Sequence, residues 1–411
     1  MRRARAGSYS RSAVPGHDRA PGRPGTCDEP AGPLRVVLLA SATSVHTRRW
    51  ADDLAMLGHE VTVCSWHEPE VGSDGRRVAS APGGACPPLR VLRAGHWLRR
   101  EVRRVRPDVI HVHSLGVHGA LSLLLPAHPA VPVVITPWGS ELRAAERHSG
   151  RALAARLALR RAARVVPTSR EVAELVASRY RVPSSRITVL SWGVPDALLD
   201  SGNDTDPRWT RAKYGIPADA TVALSVRSTS EVYRTHEILA AYTRAARARP
   251  DLFLVLVAGH RSAHAAGRRA QQEYLARLRA RAQDLAGRVA VIDQPLDQAE
   301  MFSLMRASDA AISVPPADQR SSSVLEAAAA GCRLLLSDIA PYREMVTEGL
   351  LADLLPEPLV GSLADALSDA GPLDADDRLS NRKLVRQAER GSLKVAELER
   401  LYRDAVRAGA V

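Results

Sequence analysis

Lysine is almost missing from this chain: of 57 basic residues, only Lys213, Lys383 and Lys394 are not arginine. The net charge of +12 is therefore carried by guanidinium groups, which suit phosphates and anionic head groups. An Ala/Arg-rich composition is also what a GC-rich coding sequence produces, and we weigh that as the main cause. Cysteine is scarce, four in all (Cys27, Cys64, Cys86 and Cys332), and none falls in a C-x-x-C pair. That spacing argues against a zinc site and a disulfide framework and fits a reducing cytoplasm. Aromatic residues make up 4%, with no basic stretch interleaved by rings, which argues against a nucleic-acid binder. No apolar run approaches the ~20 residues of a membrane span. The longest, around Ala120 to Val134, is broken by Pro126, His128, Pro129 and Pro132, so the chain is not expected to cross a bilayer. No G-x-G-x-x-G follows the first apolar run, which weighs against a nicotinamide or flavin site.

What is present is length and pattern. At 411 residues the chain is too long for one ordinary core and implies two or three domains. Its 45% apolar and 25% charged residues are those of a soluble globular protein. Residues 1–33, rich in Arg, Gly, Pro and Ser, have no apolar core to offset ordering entropy. They read as a disordered tail, or as the product of a start codon placed too early, and not as a secretory signal. From Leu34 the pattern becomes LRVVLLA as strand, SATSVHTRRW as loop, ADDLAMLGHE as helix and VTVCSW as the next strand. This is the βαβ signature of a parallel sheet buried on both faces. Further strands are expected at Asp108 to His113, Val131 to Thr136, Ala163 to Ser169 and Arg186 to Ser191.

In such sheets ligands sit at the carboxyl ends of the strands. His46, Thr47 and Arg48, then His113 and Ser114, then Trp138, Gly139, Ser140 and Glu141 occupy those loops. Each histidine taken singly reads equally well as a capping or supporting residue; their gathering at strand ends makes the functional case. The stretch WLRREVRRVR, Trp97 to Arg106, has helical apolar spacing and a basic face that could lie on anionic lipid. A packed helix with a solvated arginine face has the same pattern and is the plainer reading.

After a turn-rich linker, GVPDALLDSGNDTDP, a second series of strands is expected at Thr221 to Ser228, Leu252 to Gly259, Arg288 to Gln294, Ala310 to Pro315 and Arg333 to Asp338. The expected fold class is α/β, with two Rossmann-like doubly wound domains, 34–197 and 198–392, facing across a cleft. A helix within 393–411 crosses back to the first. The pairs Asp204/Asp206 and Asp374/Asp376 imitate a D-x-D metal motif but lie in turn-rich segments, and no metal site is expected. Arg227 sits at the end of the second series' first strand, with Tyr233 and Arg234 in the following loop. The stretch Asp318 to Gly331, DQRSSSVLEAAAAG, begins at a later strand end of the same domain. A helix starting there would receive an anion on its unpaired N–H groups, and Ala327 to Ala330 would let a ligand come close. Ser323 and Glu326 also spell S-x-x-E, a capping box that needs no ligand. One guanidinium, one helix N-terminus and the carboxylates of Asp318 and Glu326 suit a phosphate bearing a polyol.

Taken in order, HTRRW with LGHEVTV, DVIHVHSLG, ITPWGSEL, VVPTSREV with ITVLSWGV, the strand ending in Arg227, and DQRSSSVLEAAAAG with YREMV resemble the family 4 glycosyltransferases. These are retaining sugar-transfer enzymes of the GT-B fold, and the resemblance runs from about Leu34 to the C-terminus. It implies a nucleoside diphosphate sugar as substrate, with no further cofactor, held mostly by the second domain. Glu326 would bind the donor ribose and Asp318 the sugar hydroxyls. Ser322 and Ser323 would offer backbone N–H groups to the diphosphate, and Arg227 would stabilise charge on the departing nucleotide. The first domain would hold a hydroxyl acceptor (glycan, lipid-linked or small molecule) around His46, His113, Trp138, Gly139, Ser140 and Glu141.

Four departures stand out. VYR occupies the place where many relatives carry a lysine, so Tyr233 or Arg234 has to take over that diphosphate contact. Trp138 precedes Gly139, Ser140 and Glu141 where a histidine often precedes Gly-Ser-Asp, so that histidine's role has no bearer. HRSAHAAG replaces closely spaced glycines after LFLVLVAG, and Gln319 and Arg320 stand where Gly and a small residue are favoured. The expected activity is metal-independent transfer of a hexose in the cytoplasm, with peripheral contact to an anionic membrane at its inner face held open. Two other readings are a nucleotide-sugar epimerase of the same fold and a degenerate accessory subunit that binds without transferring.

Overall fold

In the computed structural model the described residues are 32–67, 77–83, 87–125, 131–145, 149–200, 206–259, 265–283, 285 and 287–409. Residues 1–31 of the expected tail, Cys27, Cys86, Asp204 and most of HRSAHAAG lie outside them. The first lobe is built on β1 (Arg35–Leu39), β2 (Glu60–Ser65), β3 (Arg77–Ser80), β4 (Val109–His113), β5 (Val133–Thr136) and β6 (Arg164–Val165). All six are parallel, in the order β3-β2-β1-β4-β5-β6. The second lobe repeats the plan with β7 (Thr221–Ser225), β8 (Leu252–Val257), β9 (Val289–Ile292), β10 (Ala310–Ser313), β11 (Arg333–Ser337) and β12 (Asp353–Leu355), in the order β12-β11-β10-β7-β8-β9. Connections leave in opposite directions from β1 and β4, and again from β7 and β10, so each sheet opens a crevice at the carboxyl ends of that pair.

The strands form because short apolar runs can bury both faces between helices. Every residue of β8 is buried. Side chains alternate: Val37, Leu39, Ile110 and Val112 enter one core, while Val36, Leu38 and Val109 enter another. The same alternation turns His111 and His113 of the fully buried β4 toward Val109's face.

That second face is covered by the helix Gly391–Gly409, whose Val395, Leu398, Leu401 and Tyr402 join Trp50 and Leu38 in one core. Burying each such side chain contributes about 1.5–3 kcal/mol. The Tyr402 hydroxyl lies 2.6 Å from His111 Nδ1, and Glu399 lies 3.3 Å from His59 Nε2. The chain's last helix thus belongs to the core of its first lobe.

Several local expectations are corrected. The first helix runs Val45–Met56, because Ser44 caps it by accepting from the Thr47 N–H. His46, Thr47 and Arg48 therefore stand on helical turns and not on a loop. Arg186 to Ser191 is no strand: beyond the two-residue edge strand β6 it makes one bridge, Ile187 to Val165, after a 3-10 turn at Ser184–Arg186, and then leads toward the second lobe. The edge strands β3 and β12 were not expected. Asp206 and Asp374 are helix caps, accepting at 2.8 Å from the N–H groups of Arg208 and Asp377. Among the described residues no group of three or more His, Cys, Asp or Glu could hold a metal, and no helix is long and apolar enough to cross a membrane.

Candidate active site

Arg227 follows β7 by two residues and lies in the crevice beside β10. Its Nη1 donates to Ser321 Oγ at 2.6 Å and lies 3.5 Å from Asp318 Oδ2, while Nη2 donates to the Tyr233 hydroxyl at 2.9 Å. The guanidinium carbon also sits 4.4 Å over the Tyr233 ring, a cation–π placement. Burial works against its charge, but Asp318 and the hydroxyls of Tyr233 and Tyr342 more than offset it, so its pKa is raised. Asp318 is itself held: Oδ2 accepts from the Tyr342 hydroxyl at 2.8 Å and Oδ1 from the Gln319 N–H at 2.9 Å.

The helix after β10 runs Ser322–Ala330 and is capped by Ser321, with no side-chain capping hydrogen bond. The expected box of Ser323 and Glu326 does not form, because the helix starts earlier and Glu326 falls in its second turn. Ser321 Oγ instead accepts from Arg227, leaving the first helical N–H groups without a side-chain cap. Glu326 Oε1 accepts from Gln298 Nε2 at 2.9 Å. Glu326 is 8% exposed; burial raises its carboxyl pKa, held back by the charge of Arg49, the Gln298 bond and the charge of Arg227. Ala327 to Ala330 do not face a ligand. They enter the lobe's core, and the helix packs on Ala375–Ala388.

The first lobe supplies rings. His46 stacks on Trp192 at 4.7 Å and meets the edge of Trp138 at 6.4 Å, and His113 lies 5.4 Å from Trp192. Burial pushes His46 down to about 3, aided by the charges of Arg49 and Arg227. It pushes His111 to about 3 and His113 well below the usual range. These imidazoles are neutral and offer hydrogen bonds, not charge. Arg49, on the helix Val45–Met56, is buried; its Nη2 donates to the Trp192 carbonyl.

Among the described residues, several of the buried polar atoms without a partner lie at these strand ends, and others lie elsewhere in both lobes. The former include His46 Nδ1, His113 Nε2, Trp138 Nε1, Arg49 Nε and Nη1, Ser322 Oγ and Gln319 Nε2. Leaving such an atom unpaired costs about 1–3 kcal/mol, so the ones at the crevices of both sheets are donors and acceptors that a polar ligand there could satisfy.

Other expected residues are placed differently. Glu141 accepts the N–H groups of Trp138 at 2.6 Å and Leu115 at 3.0 Å, so it ties two loops together. Arg234 pairs with Glu237 at 2.7 Å and with Glu357, which engages the charge meant for a diphosphate. Gly139 lies against Gln319 of the other lobe. Ser140 opens the helix Ser140–Ala145. Gln319 Oε1 accepts from Thr168, and Arg320 pairs with Glu348 at 2.6 Å and Glu389 at 2.7 Å. Glu389 in turn accepts from Ser191 through its side chain and from the Val194 N–H through its carbonyl, at the crossing between lobes. The two unusual loop residues are therefore lobe-to-lobe and hinge contacts. Of the residues the sequence reading passed over, Arg49, Trp192, Ser321 and Tyr342 lie inside the quoted stretches HTRRW, ITVLSWGV, DQRSSSVLEAAAAG and YREMV; Gln298 lies in none.

Comparisons with known proteins bear on the family and the fold. The family model Glycosyltransferase Family 4 matches residues 43–198, and Glycosyl transferases group 1 matches residues 208–383. A comparison with curated proteins found no match. Among solved structures, sucrose-phosphate synthase from Thermosynechococcus elongatus is similar at 17% identity with a TM-score of 0.74, covering 92% of this chain and 100% of that one. Anabaena HepE in complex with UDP-glucose is similar at 15% identity with a TM-score of 0.70, covering 91% and 99%. The α,α-trehalose 6-phosphate synthase from Burkholderia multivorans is similar at 14% identity with a TM-score of 0.69, covering 92% and 98%. At such identities the structural likeness is one of fold. With one family model on each lobe, joined across a GT-B cleft, the chain belongs to the family 4 glycosyltransferases.

Proposed function

We propose that the chain transfers a hexose from a nucleoside diphosphate sugar to a hydroxyl acceptor with retained configuration. The observation that carries this is the convergence of Arg227, Asp318, Glu326 and the side-chain-uncapped start of Ser322–Ala330 on one crevice. The diphosphate lies against Arg227 and the N–H groups of Ser322 and Ser323, and Glu326 accepts from the ribose hydroxyls. As the glycosidic bond lengthens, negative charge grows on the nucleotide, and Arg227 is already fixed by Tyr233, Ser321 and Asp318 to receive it. Such preorganisation needs no metal, and a removed donor of this kind typically costs about 2.7–4 kcal/mol of barrier. The neutral rings of His46, His113 and Trp138 receive the acceptor by hydrogen bonding and stacking.

That an Anabaena protein of this fold was solved with UDP-glucose supports a uridine nucleotide and glucose as first choices. The matching family models describe transferases, and transfer is retained over epimerisation. We also propose a cytoplasmic enzyme in peripheral contact with an anionic membrane face. The test is turnover of labelled nucleotide sugars across an acceptor panel by the wild type, Glu326→Ala and Arg227→Ala. Each variant is expected to lose about 10²–10³-fold in kcat. Wild-type rates in both would remove the site assignment, and donor binding without transfer to any acceptor would favour an accessory subunit.

A further inference from the structure

The diphosphate of a nucleotide sugar carries a charge on each phosphate, and the second-lobe guanidinium that the described residues place at the crevice already shares its charge with Asp318 at 3.5 Å. That group belongs to Arg227. Arg234, the residue placed to replace the missing lysine, pairs with Glu237 at 2.7 Å and with Glu357.

A second cation stands on the opposite wall. Arg49 is 8% exposed, and two of its three guanidinium nitrogens, Nε and Nη1, have no partner among the described residues. The third donates to the Trp192 carbonyl, which fixes the group without neutralising it. Its charge acts on Glu326 across the cleft and on His46 beside it, and the charge of Arg227 acts on the same two groups. Arg49 stands beside the stacked rings of His46 and Trp192 on the first lobe, and Arg227 beside Ser321 at the start of the helix that carries Glu326 on the second. A purely structural arginine in so buried a place would have its N–H groups paired, and a carboxylate in contact would do that. The nearby carboxylates of Glu326 and Asp53 act on it through charge alone.

We propose that Arg49 is a diphosphate-binding residue supplied by the first lobe, standing in for the second-lobe cation that the VYR stretch does not provide. The proposal rests on the donor reading above. It has a mechanical consequence: with one cation on each lobe, the diphosphate bridges the cleft, and donor binding favours the closed arrangement.

The test is isothermal titration of UDP, GDP and ADP, and of the matching nucleosides, against the wild type and the variants Arg49→Gln, Arg49→Lys, Arg234→Gln and Arg227→Gln, with melting temperatures as the folding control. Glutamine keeps a donor for the Trp192 carbonyl and removes the charge. Whichever diphosphate the wild type binds should bind Arg49→Gln about tenfold or more weakly, as for loss of a charge-assisted hydrogen bond. The nucleoside should bind within about twofold of wild type, and Arg234→Gln should bind the diphosphate within the same margin.

Equal losses of nucleoside and diphosphate on Arg49→Gln would assign Arg49 to the hinge and overturn the proposal. So would wild-type diphosphate binding by Arg49→Gln beside a loss on Arg227→Gln, which leaves the donor reading standing. If Arg49→Gln does not fold, Arg49→Lys decides: diphosphate binding about threefold weaker with the nucleoside unchanged supports the assignment, and unchanged binding of both refutes it. A wild type that binds none of the three diphosphates overturns the donor reading and this proposal together.

Discussion

Gly139 holds φ at +74°, in the left-handed region, and a Cβ there would lie 2.6 Å from Gln319 Nε2 and 3.2 Å from Val172 Cγ2. Two penalties meet at this residue, and they separate experimentally. The left-handed backbone alone should make Gly139→Ala about 1–2 kcal/mol less stable. Moving Gln319 off Thr168 adds a second loss, which Gln319→Ala in the same chain should cancel. Urea denaturation of the single and double variants measures both; a Gly139→Ala chain as stable as wild type would show that the loop relaxes and the contact is incidental. The same residue shows what could be read beforehand. Its position at a strand end was visible, as were those of Arg227, Asp318 and Glu326, because a parallel sheet fixes where its carboxyl ends lie. The partners were not: Gln319 reaches Thr168 and Arg320 reaches Glu389, pairings of one lobe with the other or with the hinge that no local pattern encodes. Arg234 failed for a similar reason, since Glu237 is near in sequence but Glu357 is not.

The element that exposes most of the first lobe's chemistry is β4, which carries two histidines inside a fully buried strand. His111 is held between the Tyr402 hydroxyl at 2.6 Å and Thr136 Oγ1 at 2.8 Å. Burial lowers His46 and His111 to about 3 and His118 to about 4, and puts His113 well below its usual range. The folded pKa values lie below the unfolded value near 6.5, so between those limits the unfolded chain binds more protons. Stability from this source is complete above about pH 6.5 and is lost as the pH falls toward 3. Unfolding free energy should be flat from about pH 8 to 7 and then decline, with a slope approaching ~1.4 kcal/mol per pH unit for each neutral histidine. Urea titrations at intervals down to pH 5 check this, and His118→Gln should remove about one histidine's share. A flat profile to pH 5 would mean that these rings are charged or solvated in the folded chain. At this scale the sequence was most legible where strands lie in mid-sheet, as with β1, β7 and β8, because burial on both faces leaves an unbroken apolar run. RVAS of β3 and DLL of β12 are short edge strands of mixed polarity. Ile187 to Ser191 has a strand's composition but meets an edge too short to pair with it.

At the scale of the whole molecule the net charge of +12 matters through where some of it lies. The helices Pro87–Val105 and Ser149–Arg161 both pack against Val117–Ser122. Arg99 donates to the Leu124 carbonyl at 2.6 Å and Arg161 to the Leu125 carbonyl at 2.9 Å. The two helices therefore share one side of the first lobe. On that side Leu89 is 55%, Leu92 65%, Leu153 57% and Leu157 48% exposed, with exposed arginines at 93, 100, 103, 156 and 160 among them. Exposed leucines and exposed arginines on the same two helices suit the proposed contact with an anionic bilayer, where each cation near the surface contributes about 1 kcal/mol. A face with the same arginines and no exposed leucines would be accounted for by solvation alone, so the leucines are what the proposed membrane contact rests on. The protein should co-sediment with vesicles containing a third of phosphatidylserine in low salt and be released as ionic strength rises and the Debye length shrinks. With phosphatidylcholine vesicles it should stay in the supernatant. Arg100→Glu with Arg103→Glu should weaken anionic binding by about tenfold or more. Leu89→Ser with Leu92→Ser should weaken it as well, while transfer to a soluble acceptor stays unchanged, since neither side chain is among those placed at the site. Equal sedimentation with both vesicle types, or arginine variants that bind as the wild type does, would return this side of the lobe to an ordinary solvated surface.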